Sequence, residues 1–266
     1  MVTAPVSRWR MSRLWERTRA EGLGRVLSRV IRAWLVGRRI EARGNRVEMS
    51  GLVFSVDNPT IHVRMKSTLA DGSYELFERL LINRFLPADL PVIELGGAIG
   101  VVACFTNRVL IRPEQHIVVE ANPSLIPTLS FNRDLNHCQF TVRHAALSYD
   151  SDQVDFYNGS TFLAGSLEPM SRRSVRVPSI TLGRLLEEAG FPTACLIADI
   201  EGAEASLVER ESDVLGSRIR WFIFEFHPPA LGPARIKNLF AQLQSVGFQE
   251  RAREGWVVAF ENSRVL

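Results

Sequence analysis

Cysteine is scarce in this chain. Its 266 residues contain three, Cys104, Cys138 and Cys195, too far apart for any Cys-x-x-Cys pair. That argues against a disulfide framework or a cysteine-held zinc site and makes a reducing compartment the expectation. No run approaches the roughly 18 apolar residues that a membrane-spanning helix needs. Residues 1–46 are interrupted by arginine throughout and lack the apolar stretch of a secretory leader, so a cytoplasmic location is expected. Lysine is nearly missing too: of 32 basic residues only Lys66 and Lys237 are lysines, a bias that fits genome composition better than function. Internal repeats, low-complexity tracts and the dinucleotide fingerprint Gly-x-Gly-x-x-Gly are absent. What is present suffices for an ordinary globular core: 46% apolar and 23% charged residues, in a length that one large α/β unit can reach.

The net charge of +3 hides an asymmetry. Residues 1–46 hold twelve arginines against Glu16, Glu21 and Glu41, a net +9, while the remainder holds 20 basic and 26 acidic residues, a net −6. Phosphate binding needs positive charge clustered at the site itself, so a nucleic-acid groove on the main body is not expected. Within residues 1–46, Leu23, Val26, Leu27, Val30, Ile31, Trp34 and Leu35 recur at three- and four-residue steps, the spacing of one helix face. Such an arm can pack on the body or on a second subunit, lie on an anionic membrane surface, or bind RNA.

Three segments follow from the pattern: an arm over 1–46, a lead-in over 47–90 and a main domain over 91–266. The lead-in alternates apolar and polar residues over 47–66 and predicts a hairpin or short sheet, with a helix over Tyr74–Leu86. The main domain alternates strand and helix. Strands are expected at Val92–Leu95, Ile117–Glu120, Phe140–Arg143, Cys195–Asp199 and Trp221–Phe226, and Trp256–Phe260 closes a terminal antiparallel pair. Apolar strands alternating with helices predict a parallel, doubly wound sheet. The long stretch from Ala145 to Pro192 stands out as a functional or mobile loop, with a strand at Ser174–Ser179 and Thr181 capping the next helix.

Four constellations carry the chemistry. Glu94-Leu95-Gly96-Gly97-Ala98-Ile99-Gly100 follows an apolar strand and opens a helix, so its glycines let a ligand approach the backbone at a strand's carboxyl end; a tight turn with no ligand is the alternative. Glu120-Ala121-Asn122-Pro123 ends the next strand, where a carboxylate can accept both hydrogen bonds of a ribose diol. Asp199-Ile200-Glu201-Gly202-Ala203-Glu204 puts three carboxylates on one strand-to-helix turn, where they repel one another without a cation, hydrogen-bond donors or shared protons; a solvated acidic turn is the alternative. Glu225-Phe226-His227-Pro228 ends the fifth strand, and His227 is either functional or a hydrogen-bonded loop histidine. Glycine turn plus ribose acid means a nucleoside-containing cofactor.

In order and spacing these motifs resemble the FkbM-type family of S-adenosylmethionine-dependent methyltransferases. The match spans about Tyr74 to Phe260 and includes Gly72-Ser73-Tyr74-Glu75 and Ala146-Leu147-Ser148. Glu94 stands where that family usually has Asp, and Ile197 where it usually has Lys. The resemblance implies a class I methyltransferase fold, Rossmann-like, with strand order 3-2-1-4-5-7-6 and the last strand antiparallel. It also implies O-methylation of a sugar, glycan or related metabolite. Tyr74, Glu94, Gly96, Gly97, Gly100, Glu120, Ala121, Asn122, Ala146 and Asp199 are then the expected cofactor contacts, and Glu201, Glu204 and His227 the expected substrate contacts. His227 is the candidate general base, since an unperturbed imidazole titrates near about 6.5, with Asp199 and Glu225 to orient it or hold the acceptor. The clustered carboxylates permit a divalent metal, but no histidine–carboxylate spacing demands one. An NAD- or nucleotide-sugar-binding protein, or a non-catalytic binding module, is the alternative reading.

Overall fold

The protein is described here by a computed structural model covering residues 23–157, 174–200 and 203–265. Helix α1 (Leu23–Ala42) leads into a hairpin of β1 (Arg46–Met49) and β2 (Leu52–Ser55), then α2 (Val63–Ala70) and α3 (Leu76–Phe85). The main domain follows as β3 (Val92–Leu95), α4 (Val101–Val109), β4 (His116–Glu120), α5 (Ile126–Leu135) and β5 (Thr141–His144). Three strands come next: β6 (Ala146–Leu147), β7 (Gln153–Tyr157) and β8 (Ser174–Ile180). The chain continues through α6 (Leu182–Ala189), β9 (Ala194–Ala198), α7 (Glu204–Arg210), α8 (Ser212–Arg218) and β10 (Ile219–Glu225). It closes with α9 (Pro228–Leu231), α10 (Pro233–Ser245), β11 (Phe248–Glu254) and β12 (Val257–Asn262).

The main sheet has seven strands in the order β11-β12-β10-β9-β3-β4-β5. Counted within the sheet this is 3-2-1-4-5-7-6, as expected. Strands β5, β4, β3, β9 and β10 run parallel, and β12 is antiparallel to both of its neighbours. Helices cover both faces, which is why β3 and β9 are buried at every residue and β9 reads as an unbroken apolar run. One face packs Leu185, Leu207, Leu215 and Leu239 against a ladder of phenylalanines, Phe222, Phe224, Phe226 and Phe260. Phe222 and Phe224 stack with centroids 4.5 Å apart. The opposite face receives Leu81 and Ile82 of α3, and the lead-in joins α4 and α5 through Phe54, Leu69, Ile99 and Leu129.

Two expectations need correction. The alternation over 47–66 does not continue as strand, because residues from Val63 on are helical. Ile61, Met65 and Leu69 recur at four-residue steps, and that helical face, packed on the hairpin, outweighs the period of two. The stretch from Ala145 to Pro192 is not one open loop either. β6, β8 and β7 form a three-stranded sheet, in which β7 and β8 pair antiparallel from Gln153↔Pro178 to Tyr157↔Ser174. Thr181 caps α6 as expected, its hydroxyl accepting from the Arg184 amide at 3.2 Å. The Gly/Ser-rich part of the insert, residues 158–173, lies outside the described residues.

Helix α1 is tied down along its carboxyl half. A Cβ at Gly37 would sit 1.9 Å from the Val63 carbonyl oxygen, so the two helices touch backbone to backbone there. Lys66 bridges Glu41 at 3.1 Å and Asn45 at 2.7 Å. The apolar stripe that the periodicity singled out is not the packed face: Leu27, Ile31, Trp34 and Leu35 are exposed, while Gly37 and Ile40 are buried. Packing of Leu27, Ile31 and Leu35 on this chain's own body is thereby corrected. Among the described residues no helix is long and apolar enough to cross a membrane.

Candidate active site

The site lies at the carboxyl ends of β3, β4, β9 and β10, where the topology gathers all four constellations. After β3 the chain turns sharply: the amides of Gly96 and Gly97 both donate to the Val119 carbonyl, at 2.9 and 3.0 Å. Gly96 has φ +94°, and a Cβ there would stand 1.8 Å from the Asp199 carbonyl oxygen. A side chain at Gly96 would thus collide with the backbone after β9, so the glycine expected to admit a ligand is required first by packing. Gly97 and Gly100 are likewise packing requirements, since a Cβ would meet Val118 Cγ1 at 2.4 Å and Leu129 Cδ1 at 2.8 Å. The glycines bring two strand ends and a helix together, and that approach shapes the site.

Glu120 is 7% exposed and aimed at this turn. One carboxylate oxygen accepts from the Ala98 amide at 2.7 Å and the other from the Asn122 amide at 2.6 Å. It thus braces Ala98, held at φ +45°, a left-handed conformation that costs a non-glycine residue of order 1 kcal/mol or more. Burial pushes the Glu120 carboxyl up to about 7, against the lowering pull of those amides. Asn122 is buried with its carbonyl oxygen engaged by Ser124. Ala121 and Ala146 meet in one apolar cluster with Phe156 and Val177, so β6–β8 pack beside the end of β4.

On the other side of the Gly96 turn opens a narrow cleft whose polar lining is acidic: Glu75, Glu78, Glu94, Asp199 and Glu225. Desolvation raises the carboxyls of Glu75, Glu78, Glu94 and Asp199 above the ordinary carboxylate range. Glu225 is pushed up to about 9, first by burial and then by Asp199. Glu94 is 2% exposed and neither of its oxygens has a hydrogen-bond partner; its neighbour is His116, Nε2 at 3.4 Å. Arg79, on the same helix as Glu78, acts by charge on Glu75 and Glu78, while its guanidinium donates to the Tyr74 and Gly72 carbonyls and lies over the Phe105 ring. Tyr74 is buried in the lead-in core beside Glu75 rather than lining the cleft, and burial pushes its hydroxyl well up.

His227 stands at the mouth of this cleft. Its Nε2 is 3.4 Å from Asp199 Oδ1 and 4.0 Å from Glu225 Oε2, and its Nδ1 is hydrogen-bonded to Glu204. Glu204 has a side chain 0% exposed, which corrects its expected contact with substrate: it orients His227 instead. Glu201, the other expected substrate contact, lies outside the described residues. Sequence reasoning missed Glu75, Glu78 and His116. Glu75 and Glu78 are three residues apart, the spacing of one helix face, and this was the available signal for the pair.

The strand order and the site at the sheet's carboxyl edge define the fold as that of class I methyltransferases. No protein-family model matches the chain, and comparison with curated proteins finds no match. Among solved structures, a ribosomal protein L11 methylase from Lactobacillus delbrueckii subsp. bulgaricus is 13% identical with a TM-score of 0.43, over 71% of this chain and 77% of that one. Fibrillarin from Aeropyrum pernix, solved with S-adenosyl-L-methionine, is 14% identical with a TM-score of 0.39, over 69% and 72%. A precorrin-6y C5,15-methyltransferase from Geobacter metallireducens is 10% identical with a TM-score of 0.40, over 69% and 84%.

Proposed function

We propose that this chain is an S-adenosylmethionine-dependent O-methyltransferase of the FkbM type, acting on a hydroxyl of a sugar, glycan or related metabolite. The observation that carries the reading is charge. Glu120, the residue that would accept a ribose diol, stands on one side of the Gly96 turn, and a cleft lined by five carboxylates lies on the other. An NAD or nucleotide-sugar ligand would bring its anionic pyrophosphate against these groups. S-adenosylmethionine instead brings two cations, a sulfonium and an ammonium, to the same place, and it supplies the activated methyl group. In this chain Glu120 would hold the ribose, the Ala121–Ala146 cluster would flank the base, and Glu94 and Asp199 would face the cationic end.

The acceptor hydroxyl then lies against Asp199, Glu225 and His227. The bound cofactor would supply the methyl group to the acceptor oxygen, its own carbon–sulfur bond being the one broken, while Asp199, Glu225 and His227 would align the hydroxyl and take its proton or pass it to water. Alignment of this kind supplies roughly 7–11 kcal/mol of barrier reduction in well-oriented systems. Calorimetric titration of the purified chain with S-adenosylmethionine and with NAD tests the reading. Binding of the first alone is expected; binding of NAD alone overturns it. A methyl-transfer assay on glycan acceptors then separates an enzyme from a binding module.

We also infer that α1 rests on an anionic membrane surface, holding the enzyme at the inner face of the membrane. Leu27, Ile31, Trp34 and Leu35 are all at least half exposed on one side of the helix, and the exposed Arg32 and Arg39 project from the neighbouring side. The Arg38 guanidinium lies over the Trp34 ring, 5.8 Å from its centroid. An apolar face in the interfacial layer with a basic flank on anionic headgroups fits this arrangement, each basic residue contributing on the order of 1 kcal/mol.

A further inference from the structure

We infer that Asp199, Glu225 and His227 form a divalent-cation site at the carboxyl ends of β9 and β10. Each offers one ligand atom, and the three atoms lie within 4.8 Å of one another. Donors bound to one ion at about 2.1 Å stand roughly 3.0–3.5 Å apart. His227 Nε2 and Asp199 Oδ1 already meet this at 3.4 Å, and Glu225 Oε2, at 4.0 Å from Nε2, needs to close by about half an ångström.

Two further observations point to a cation. Buried Glu204 is hydrogen-bonded to Nδ1 of His227 and so orients the ring with Nε2 toward two carboxylates; metal-binding histidines are held in this way. Asp199 Oδ1 is enclosed without a hydrogen-bond partner, and both oxygens of the 2%-exposed Glu94, which lines the same cleft, also lack one. One imidazole with two carboxylates suits a cation of intermediate hardness such as Mn²⁺ or Mg²⁺, with coordination positions left open.

The consequence for substrate class rests on the methyltransferase reading. Open positions on the ion would chelate two neighbouring oxygens, selecting acceptors with a vicinal diol or a hydroxyl beside a carbonyl. The coordinated hydroxyl would lose its proton to water more readily. His227 then acts as a ligand in place of the general base expected from the sequence.

The test uses the full chain, stripped with a chelator, and Mn²⁺ as the probe, followed by electron paramagnetic resonance and calorimetry without cofactor. One Mn²⁺ per chain is expected, with at least tenfold weaker binding in Asp199→Asn and in His227→Gln. Glu204→Gln should weaken it by about 10- to 100-fold through the histidine's orientation. Circular dichroism identifies any variant that fails to fold, and Glu225→Gln, at a partly exposed position, then replaces it. Zero stoichiometry, or unchanged affinity in the folded variants, overturns the site. S-adenosylmethionine binding measured in parallel keeps the two readings apart. A chain that binds the cofactor but not Mn²⁺ sinks only the metal site; one that binds Mn²⁺ but not the cofactor sinks the methyltransferase reading.

Discussion

The cleft at the sheet's carboxyl edge buries carboxylates, whereas helix α1 exposes leucine, isoleucine and tryptophan to water. Both depart from the usual partition of polar and apolar residues, in opposite directions and at opposite costs. A buried carboxylate loses hydration and recovers it only from a proton, a donor or a cation. An exposed apolar face costs little by itself, yet a contiguous one marks a surface that something covers. The cleft therefore needs charge, and the helix needs an apolar or amphipathic surface. The two also differ in what holds them. Backbone contacts that no side chain can enter set the cleft, while the carboxyl half of α1 is held by Val36, Gly37, Ile40 and the Lys66 bridges.

The largest expected effect comes from breaking the cleft's backbone. Gly96→Val adds a clash with the Asp199 carbonyl to a disfavoured φ, and should destabilise the chain by about 3 kcal/mol or more while abolishing cofactor binding. Gly190→Ala provides the contrast: its φ is also positive, +66°, but a Cβ meets nothing within 4 Å, so about 1 kcal/mol is expected. Thermal melts of the two variants separate strain from collision. Equal losses would mean that the close approach at Gly96 is not a requirement.

Glu120 is next. Glu120→Ala should weaken S-adenosylmethionine binding by roughly 1.5–3 kcal/mol, the scale of a charged hydrogen bond, and should also loosen the Ala98 turn. Its titration carries a sign. The folded carboxyl sits at about 7 against an ordinary 4.5, so between these values the folded chain keeps a proton that the unfolded chain has released. Its contribution is therefore fully present below 4.5 and is lost as pH rises through about 7, at up to about 1.4 kcal/mol per pH unit. Melting temperatures of the cofactor-free chain should fall over that window, and Glu120→Gln should flatten the slope. An unchanged slope in the variant assigns the dependence to other groups.

His227→Ala should lower turnover at least tenfold while S-adenosylmethionine affinity stays nearly constant, the pattern of a group acting on the acceptor alone. Parallel losses of binding and turnover would make it a structural residue. The smallest effect on stability is expected on the arm. Replacing Leu27, Ile31 and Trp34 by serine should shift stability by less than about 0.5 kcal/mol per site, because these side chains are exposed. The same triple variant should lose salt-sensitive sedimentation with anionic liposomes. If neither chain pellets and only the unaltered one dimerises, α1 is a subunit contact and the membrane reading fails.

Much of this molecule was legible in its residues. Apolar runs leading into Glu94–Gly100, Glu120 and Asp199 marked strands whose carboxyl ends carry chemistry, because a strand buried on both faces is apolar along most of its length. The strand order came from resemblance, and the pairings bear it out. Local pattern also located Thr181 as a cap, since capping involves only residues three apart. Other features depend on neighbours distant in sequence. Glu204 reads as one of three equivalent carboxylates on an acidic turn, and only the packing of α7 under the His227 loop makes it the buried partner of an imidazole. Gly96 reads as a ligand cradle, yet its constraint is a carbonyl about a hundred residues further along the chain. Periodicity found the apolar stripe of α1 and could not say which side faces the body, because α2 claims the Gly37–Ile40 side through contacts no helical period encodes. Residue type and spacing determined which groups reach the sheet's carboxyl edge. The tertiary fold decided which of them are desolvated, and desolvation sets whether a carboxylate is solvent-facing decoration or a site that requires a positive charge.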